Sequence, residues 1–105
     1  MVKAAARKSR ELTPEQRKFL KAQAHSLKPV VMIGAQGLTE AVIQEAGRAL
    51  AAHELIKVRV LGDDREARET YLTELCAALG AAPVQHIGKL LLLYRPADKA
   101  KLQLP

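Results

Sequence analysis

Residues 28–43, KPVVMIGAQGLTEAVI, decide how the chain folds. Val30 to Ile33 is a short apolar, largely β-branched run behind a proline, which reads as a strand. Gly34 and Gly37 follow at once. Thr39 then opens a helix as its N-cap, and Val42, Ile43, Ala46, Ala49, Leu50 and His53 recur at helical spacing. Leu38 and Ile43 fall where a hydrophobic staple would join the entering chain to that helix. A strand that passes directly into a helix is the first half of a β-α-β crossover. Gly47 in mid-helix costs about 1 kcal/mol against alanine, so a neighbouring element should approach closely there.

The flanking sequence completes the pattern. Upstream, T-P-E-Q is a helix start, with Thr13 as N-cap, Pro14 at the first helical position and Gln16 reaching back to close a capping box. This helix runs to about Ser26, and Pro29 ends it. Leu20, Ala24 and Leu27 form its apolar stripe, and Arg17, Lys21, His25 and Lys28 form a basic stripe beside it. Downstream, Ile56, Val58 and Val60 alternate with Lys57 and Arg59, a strand with two cations on its open face. Asp63 as N-cap with Glu66 three later opens a third helix to about Leu79, closed by Gly80. Its apolar stripe is Ala67, Tyr71, Leu75, Ala78 and Leu79.

Residues 83–87 make a short strand, Gly88-Lys89 a type II′ turn, and Leu90 to Tyr94 the last strand. The predicted order is α-β-α-β-α-β-β, an α/β chain built as a two-layer α+β fold with a mixed sheet. Four consecutive leucines, 90–93, require some cover on both faces of the last strand, and the first helix is available for the second face. Residues 1–12 are expected to be a disordered basic arm, 13–97 the folded domain and 98–105 an irregular tail.

The chain has 105 residues, one domain's worth, and only 3% aromatic residues, so its core is aliphatic. Net charge is +6, unevenly spread. Residues 1–28 carry eight Lys/Arg against two acids, 29–80 five against eight, and 81–105 four against one. Two basic ends suggest one basic face and a polyanionic partner. No stretch approaches the ~18 apolar residues that cross a bilayer. The N-terminus lacks the apolar segment of a secretory signal, and a lone Cys76 points to a reducing compartment, so cytoplasmic residence without membrane association is expected. Cys76 itself reads as a small buried hydrophobe.

Candidate chemistry is sparse. His25, His53 and His86 lie on three different elements without acid or Cys in ligand spacing, so no metal or other cofactor is expected. His53 reads as a structural histidine on its helix's apolar stripe. Asp63 and Asp64 are explained by capping and turn chemistry. The glycine fingerprints of dinucleotide and nucleoside triphosphate sites are missing. The residues therefore point to binding rather than catalysis, with no small-molecule substrate.

The feature that remains is Gly34-Ala35-Gln36-Gly37. Two glycines can merely supply a tight turn. Here, however, they lead to a helix N-terminus, where free N–H groups favour an anion. They also remove side chains that would hold a phosphate chain away. The KH module clamps a nucleic-acid backbone with a GXXG loop on the same principle. Ala35 and Gln36 are uncharged, so neighbours such as Lys28 would supply the field.

KPVVMIGAQGLTEAV, HELIKVRV, DDRE and IGKLLLLYRP, in this order and spacing, resemble the small bacterial YhbY family of stand-alone CRM domains. The resemblance spans about residues 13–96. It implies an RNA-binding domain akin to the C-terminal domain of bacterial initiation factor 3, with a four-stranded mixed sheet in the order 1-2-4-3. It also implies association with precursors of the large ribosomal subunit. Carried over by position, the family's GxxG loop is Gly34, Ala35, Gln36 and Gly37, and its K-P is Lys28-Pro29. Lys57 is the lysine of HELIKV and Arg95 the arginine of Y-R-P. The expected RNA-binding set is therefore this loop with Arg17, Lys21, Lys28, Lys57 and Arg95, on a monomer. The competing expectation is a protein-interaction module whose basic face meets an acidic protein or membrane surface.

Overall fold

A computed structural model describes residues 11–97 and 101–105. The elements are α1 (Pro14–Ala24), β1 (Val31–Ile33), α2 (Glu40–His53), β2 (Leu55–Val60), α3 (Arg65–Leu79), β3 (Ala82–Ile87) and β4 (Leu90–Tyr94). They form the expected sequence of helices and strands. The strands make one four-stranded sheet in the order β1-β2-β4-β3. β1 runs parallel to β2, whereas β2–β4 and β3–β4 are antiparallel. The proposed basic arm lies outside the described residues except for Glu11 and Leu12, and Leu12 packs on the α1 side of the sheet.

The helix starts follow from side-chain oxygens placed to take up free amides. Thr13 and Gln16 form the capping box of α1, and Thr39 accepts from the Val42 amide to cap α2. The third cap differs by one residue from the expectation. Asp64 accepts from the Ala67 amide, and Asp63 instead pairs with Lys89 at 3.0 Å. Gly80, at φ 65°, ends α3 in the left-handed region that favours glycine. Gly88 turns β3 into β4 with φ 57°, the positive angle that the first central place of a II′ turn requires.

The sheet has two unequal covers. α2 and α3 pack on Ile56, Val58, Val60, Leu91 and Leu93. α1 packs on Leu55, Val84, Leu92 and Tyr94 on the other face, joined by Leu102 and Leu104 of the tail. The leucine run is thereby divided between the two sides, and each fully buried leucine contributes on the order of 2 kcal/mol. Gly47 is where α2 meets α3, since a Cβ there would lie 3.3 Å from the Leu79 Cδ2.

Two expectations on α3 and α2 are corrected. Ala78 is exposed, and the buried position is Arg68. Arg68 is buried because its polar atoms are engaged: Nε donates to His86 Nε2 and Nη1 to the Gly62 carbonyl. His53 is exposed at the end of α2 rather than held in the core. Cys76 is buried as expected, and burial pushes its thiol up to about 12. The folded protein should therefore resist alkylation at pH 8 and react fully once denatured. Rapid labelling of the native chain by a thiol reagent would contradict this burial.

Candidate nucleic-acid interface

The two glycines of the GAQG loop have different reasons to be there. The Gly37 amide donates to the Gly34 carbonyl at 2.9 Å and closes a turn directly after β1. Gly37 is buried at φ 76°, and a Cβ on it would stand 3.0 Å from the Tyr71 hydroxyl oxygen. Both backbone angle and space demand glycine at that position. At Gly34 neither does: its φ lies outside the left-handed range and a Cβ would meet nothing within 4 Å. Ala35 and Gln36 are exposed at the tip, and among the described residues their amides donate to no protein acceptor.

The contribution expected from the helix N-terminus is smaller than the sequence suggests. Leu38 and Thr39 separate the loop from α2, Thr39 occupies the Val42 amide, and Glu40 places a carboxylate in the first turn. That acid already answers the positive end of the helix dipole. An anion at this corner would be met chiefly by the loop amides and by cations.

Four cations gather on the α1 side of the sheet. Lys28 is exposed in the segment joining α1 to β1. Lys57 projects from β2 beneath the end of α1 and donates to the Leu27 carbonyl at 2.8 Å. It borders two open clefts. One, about 290 Å³, is shared with Lys28, His53, Leu27 and Leu102. The other, about 210 Å³, is shared with Lys21, His25, Gln85 and Ile87. Arg59 is exposed two residues along β2 on the same face as Lys57. It was visible as an alternating cation in the sequence but did not enter the expected binding set. None of Lys21, Lys28, Lys57 and Arg59 is ion-paired with a described acid, whereas Lys89 pairs with Asp63 and His86 is hydrogen-bonded to Glu69.

Arg17 and Arg95 stand apart from this group. The Arg95 guanidinium donates to the Leu79 carbonyl at 2.9 Å and the Gly47 carbonyl at 3.3 Å, and so ties the end of α3 to α2. It follows Tyr94, which pairs with Leu55, whereas the GAQG loop follows Ile33, which pairs with Val60. Arg95 and the loop therefore occupy opposite ends of the sheet. Arg17 donates to the Pro83 carbonyl at 3.4 Å, at the first residues of β3 and again at the end away from the loop. The expected set thus separates into three parts: the loop after Ile33 at one end of the sheet, Lys21, Lys28 and Lys57 around the two clefts on the α1 side, with Lys28 before β1 at the end away from the loop, and two arginines occupied by backbone carbonyls.

Among the described residues no group of three or more His, Cys, Asp or Glu is placed to hold a metal ion. No helix there is long and apolar enough to cross a membrane.

Comparisons with known proteins agree on one kind of domain. The family model of the CRS1 / YhbY (CRM) domain matches residues 12–95. A Haemophilus influenzae protein named "RNA-binding protein" is 51% identical over 94 residues, covering 90% of this chain and 95% of that one. A Pseudomonas aeruginosa protein named "Probable RNA-binding protein" is 48% identical, covering 84% of this chain and 85% of its own. The solution structure of a Staphylococcus aureus hypothetical protein superimposes with a TM-score of 0.80 at 31% identity. It covers 90% of this chain and 100% of that one.

Proposed function

The chain belongs to the CRS1/YhbY (CRM) domain family, and on that footing we propose that it is a non-catalytic, cytoplasmic RNA-binding protein that associates with precursors of the large ribosomal subunit and assists their assembly. Two features support the binding part: an exposed loop tip and, on the α1 side of the sheet, cations with no described acid partner. Gly34 has open space around it and Ala35 and Gln36 are exposed, and Lys21, Lys28, Lys57 and Arg59 lie on one side of the sheet with no ion pair to a described acid. The relatives' names support RNA as the polyanion. The ribosomal assignment rests on the family resemblance.

Loop amides and lysines contact phosphates wherever they occur, so affinity should depend on salt more than on sequence. With about four cations displacing counterions, the log–log salt slope for single-stranded RNA should be near −3. A slope indistinguishable from zero would remove the electrostatic grip. Lys28→Glu should weaken binding at least tenfold at low salt while leaving the melting temperature unchanged, because the side chain is exposed and has no partner among the described residues.

Sedimentation of cell lysate on a sucrose gradient tests the assignment as a whole. The protein should travel with large-subunit precursors at low salt and return to the top at high salt. Migration at the top under all conditions, with an acidic protein retained on the purified chain instead, would favour the protein-interaction alternative.

A further inference from the structure

The α1 side of the sheet is covered at one end only. α1 rests Leu20 and Ala24 on Leu55, Val84, Leu92 and Tyr94. Beyond that cover, one side chain from each strand lines up in a row: Met32 is in register with Arg59, Arg59 with Leu90, and Leu90 with Ile87. All four point to the same face, since their neighbours Ile33, Val58, Val60 and Leu91 are buried under α2 and α3. Met32 is 54% exposed and Ile87 52%, Arg59 is exposed and Leu90 is half-buried. The row crosses the whole sheet at the strand ends nearest the GAQG loop. Its inner border is the cleft held by Lys21, His25 and Lys57.

Three aliphatic side chains with a guanidinium among them make a poor surface for water and a suitable one for the face of a nucleobase. Unpaired bases stack on arginine planes as they do on aromatic rings. Adjacent strands lie about 4.8 Å apart, so neighbouring side chains of the row form a continuous floor. The nearby cations, Lys21 and Lys57, would hold the sugar-phosphate chain beside that floor. Glu45 lines a shallow hollow with Met32 at the β1 edge. A duplex hides its base faces and would leave this row against water and phosphate.

Resting on the RNA-binding reading above, we propose that the row Met32–Arg59–Leu90–Ile87 is a platform for unpaired RNA bases, and that the protein's target is a single-stranded segment whose backbone is held by Lys21, Lys57 and the GAQG loop. Arg59 is the stacking residue, and Met32, Leu90 and Ile87 supply apolar contact.

The test uses the full chain and three labelled probes read by fluorescence anisotropy: a 12-nucleotide single-stranded RNA, the same backbone with its bases removed, and a blunt RNA duplex. The platform requires the base-bearing strand to bind about tenfold or more tightly than the abasic one, the scale of one stacked base. Arg59→Lys keeps the charge and removes the plane, so it should erase most of that difference without changing the salt slope or the melting temperature. Met32→Ser with Ile87→Ser should do the same. Equal affinity for base-bearing and abasic strands, or preference for the duplex, would overturn the platform and leave the RNA-binding reading standing. Failure of all three probes to bind at low salt would overturn both.

Discussion

Gly37→Asp should unfold the protein well before Gly34→Asp does, and Gly34→Asp should lose RNA while keeping its fold. At Gly37 two costs combine. A non-glycine residue at φ 76° is strained by about 1–2 kcal/mol. A Cβ placed 3.0 Å from the Tyr71 hydroxyl oxygen requires repacking, about another 1–2 kcal/mol. A total near 2–4 kcal/mol should lower the melting temperature by roughly 10 °C or more. Weak RNA binding by this variant would then say little about the loop's contacts. At Gly34 a new side chain finds open space, and stability should stay within about 0.5 kcal/mol of wild type. A carboxylate there faces the phosphates that the loop amides are proposed to hold. Like charges about 4 Å apart repel by roughly 1–4 kcal/mol between bulk water and a protein surface, so RNA affinity should fall tenfold or more. Thermal melts and anisotropy titrations on the two variants separate the effects. A well-folded Gly34→Asp protein that binds single-stranded RNA like wild type would take the loop out of the interface.

This pair also shows where reading the chain stops. Gly34 and Gly37 are the same letter in the same motif, and only the folded chain separates them: a positive φ at Gly37 and Tyr71, arriving from α3, make that one obligatory. Local rules carry as far as they are local. T-P-E-Q, the alternation of residues 56–60 and the Gly88 turn each encode their own geometry, and the element order follows from them. The choice between Asp63 and Asp64 as cap already escapes, because Lys89 across the β3–β4 turn captures one of them.

Cations escape more completely. In the sequence Arg95 and Arg17 look as available as Lys21. Their occupation by the Leu79, Gly47 and Pro83 carbonyls depends on partners up to 66 residues away. The row Met32, Arg59, Leu90 and Ile87 is likewise invisible until strand register aligns it. Periodicity assigns each residue to a face, but not to a neighbour.

Glu54→Ala should be the most damaging change outside the packed core, and for reasons the sequence does not display. Glu54 is the non-glycine residue with positive φ among the described ones, at φ 67° and ψ −46°, a conformation that costs on the order of 1–3 kcal/mol. It is 2% exposed. Its carboxylate accepts the amides of Ala97 at 2.8 Å, Lys101 at 2.9 Å and Leu102 at 3.0 Å. Through these bonds the tail is latched over the α1 side, where Leu102 and Leu104 join the apolar cluster and the Pro105 carbonyl accepts from Gln16.

Hydrogen bonds to an ionised carboxylate contribute about 1.5–3 kcal/mol each when isolated, but a released tail regains water at its amides. The net loss for Glu54→Ala should therefore be near 2–4 kcal/mol, less than the sum. Glu54→Gly should recover about 1 kcal/mol of that, because glycine is at ease at positive φ. Acid should act in the same direction. The Ala97 amide, more than any other cause, lowers the Glu54 pKa below its ordinary 4.5, with burial opposing. A depressed folded pKa means that this stabilisation is present above pH 4.5 and is lost as pH falls through the lower folded value. Wild type and Glu54→Ala should thus converge in stability at acid pH and diverge above it. Carboxypeptidase digestion gives a local reading of the latch, with the tail trimmed readily in the variant and slowly in wild type at neutral pH. Equal trimming and parallel stability–pH curves would mean that the carboxylate holds nothing in place.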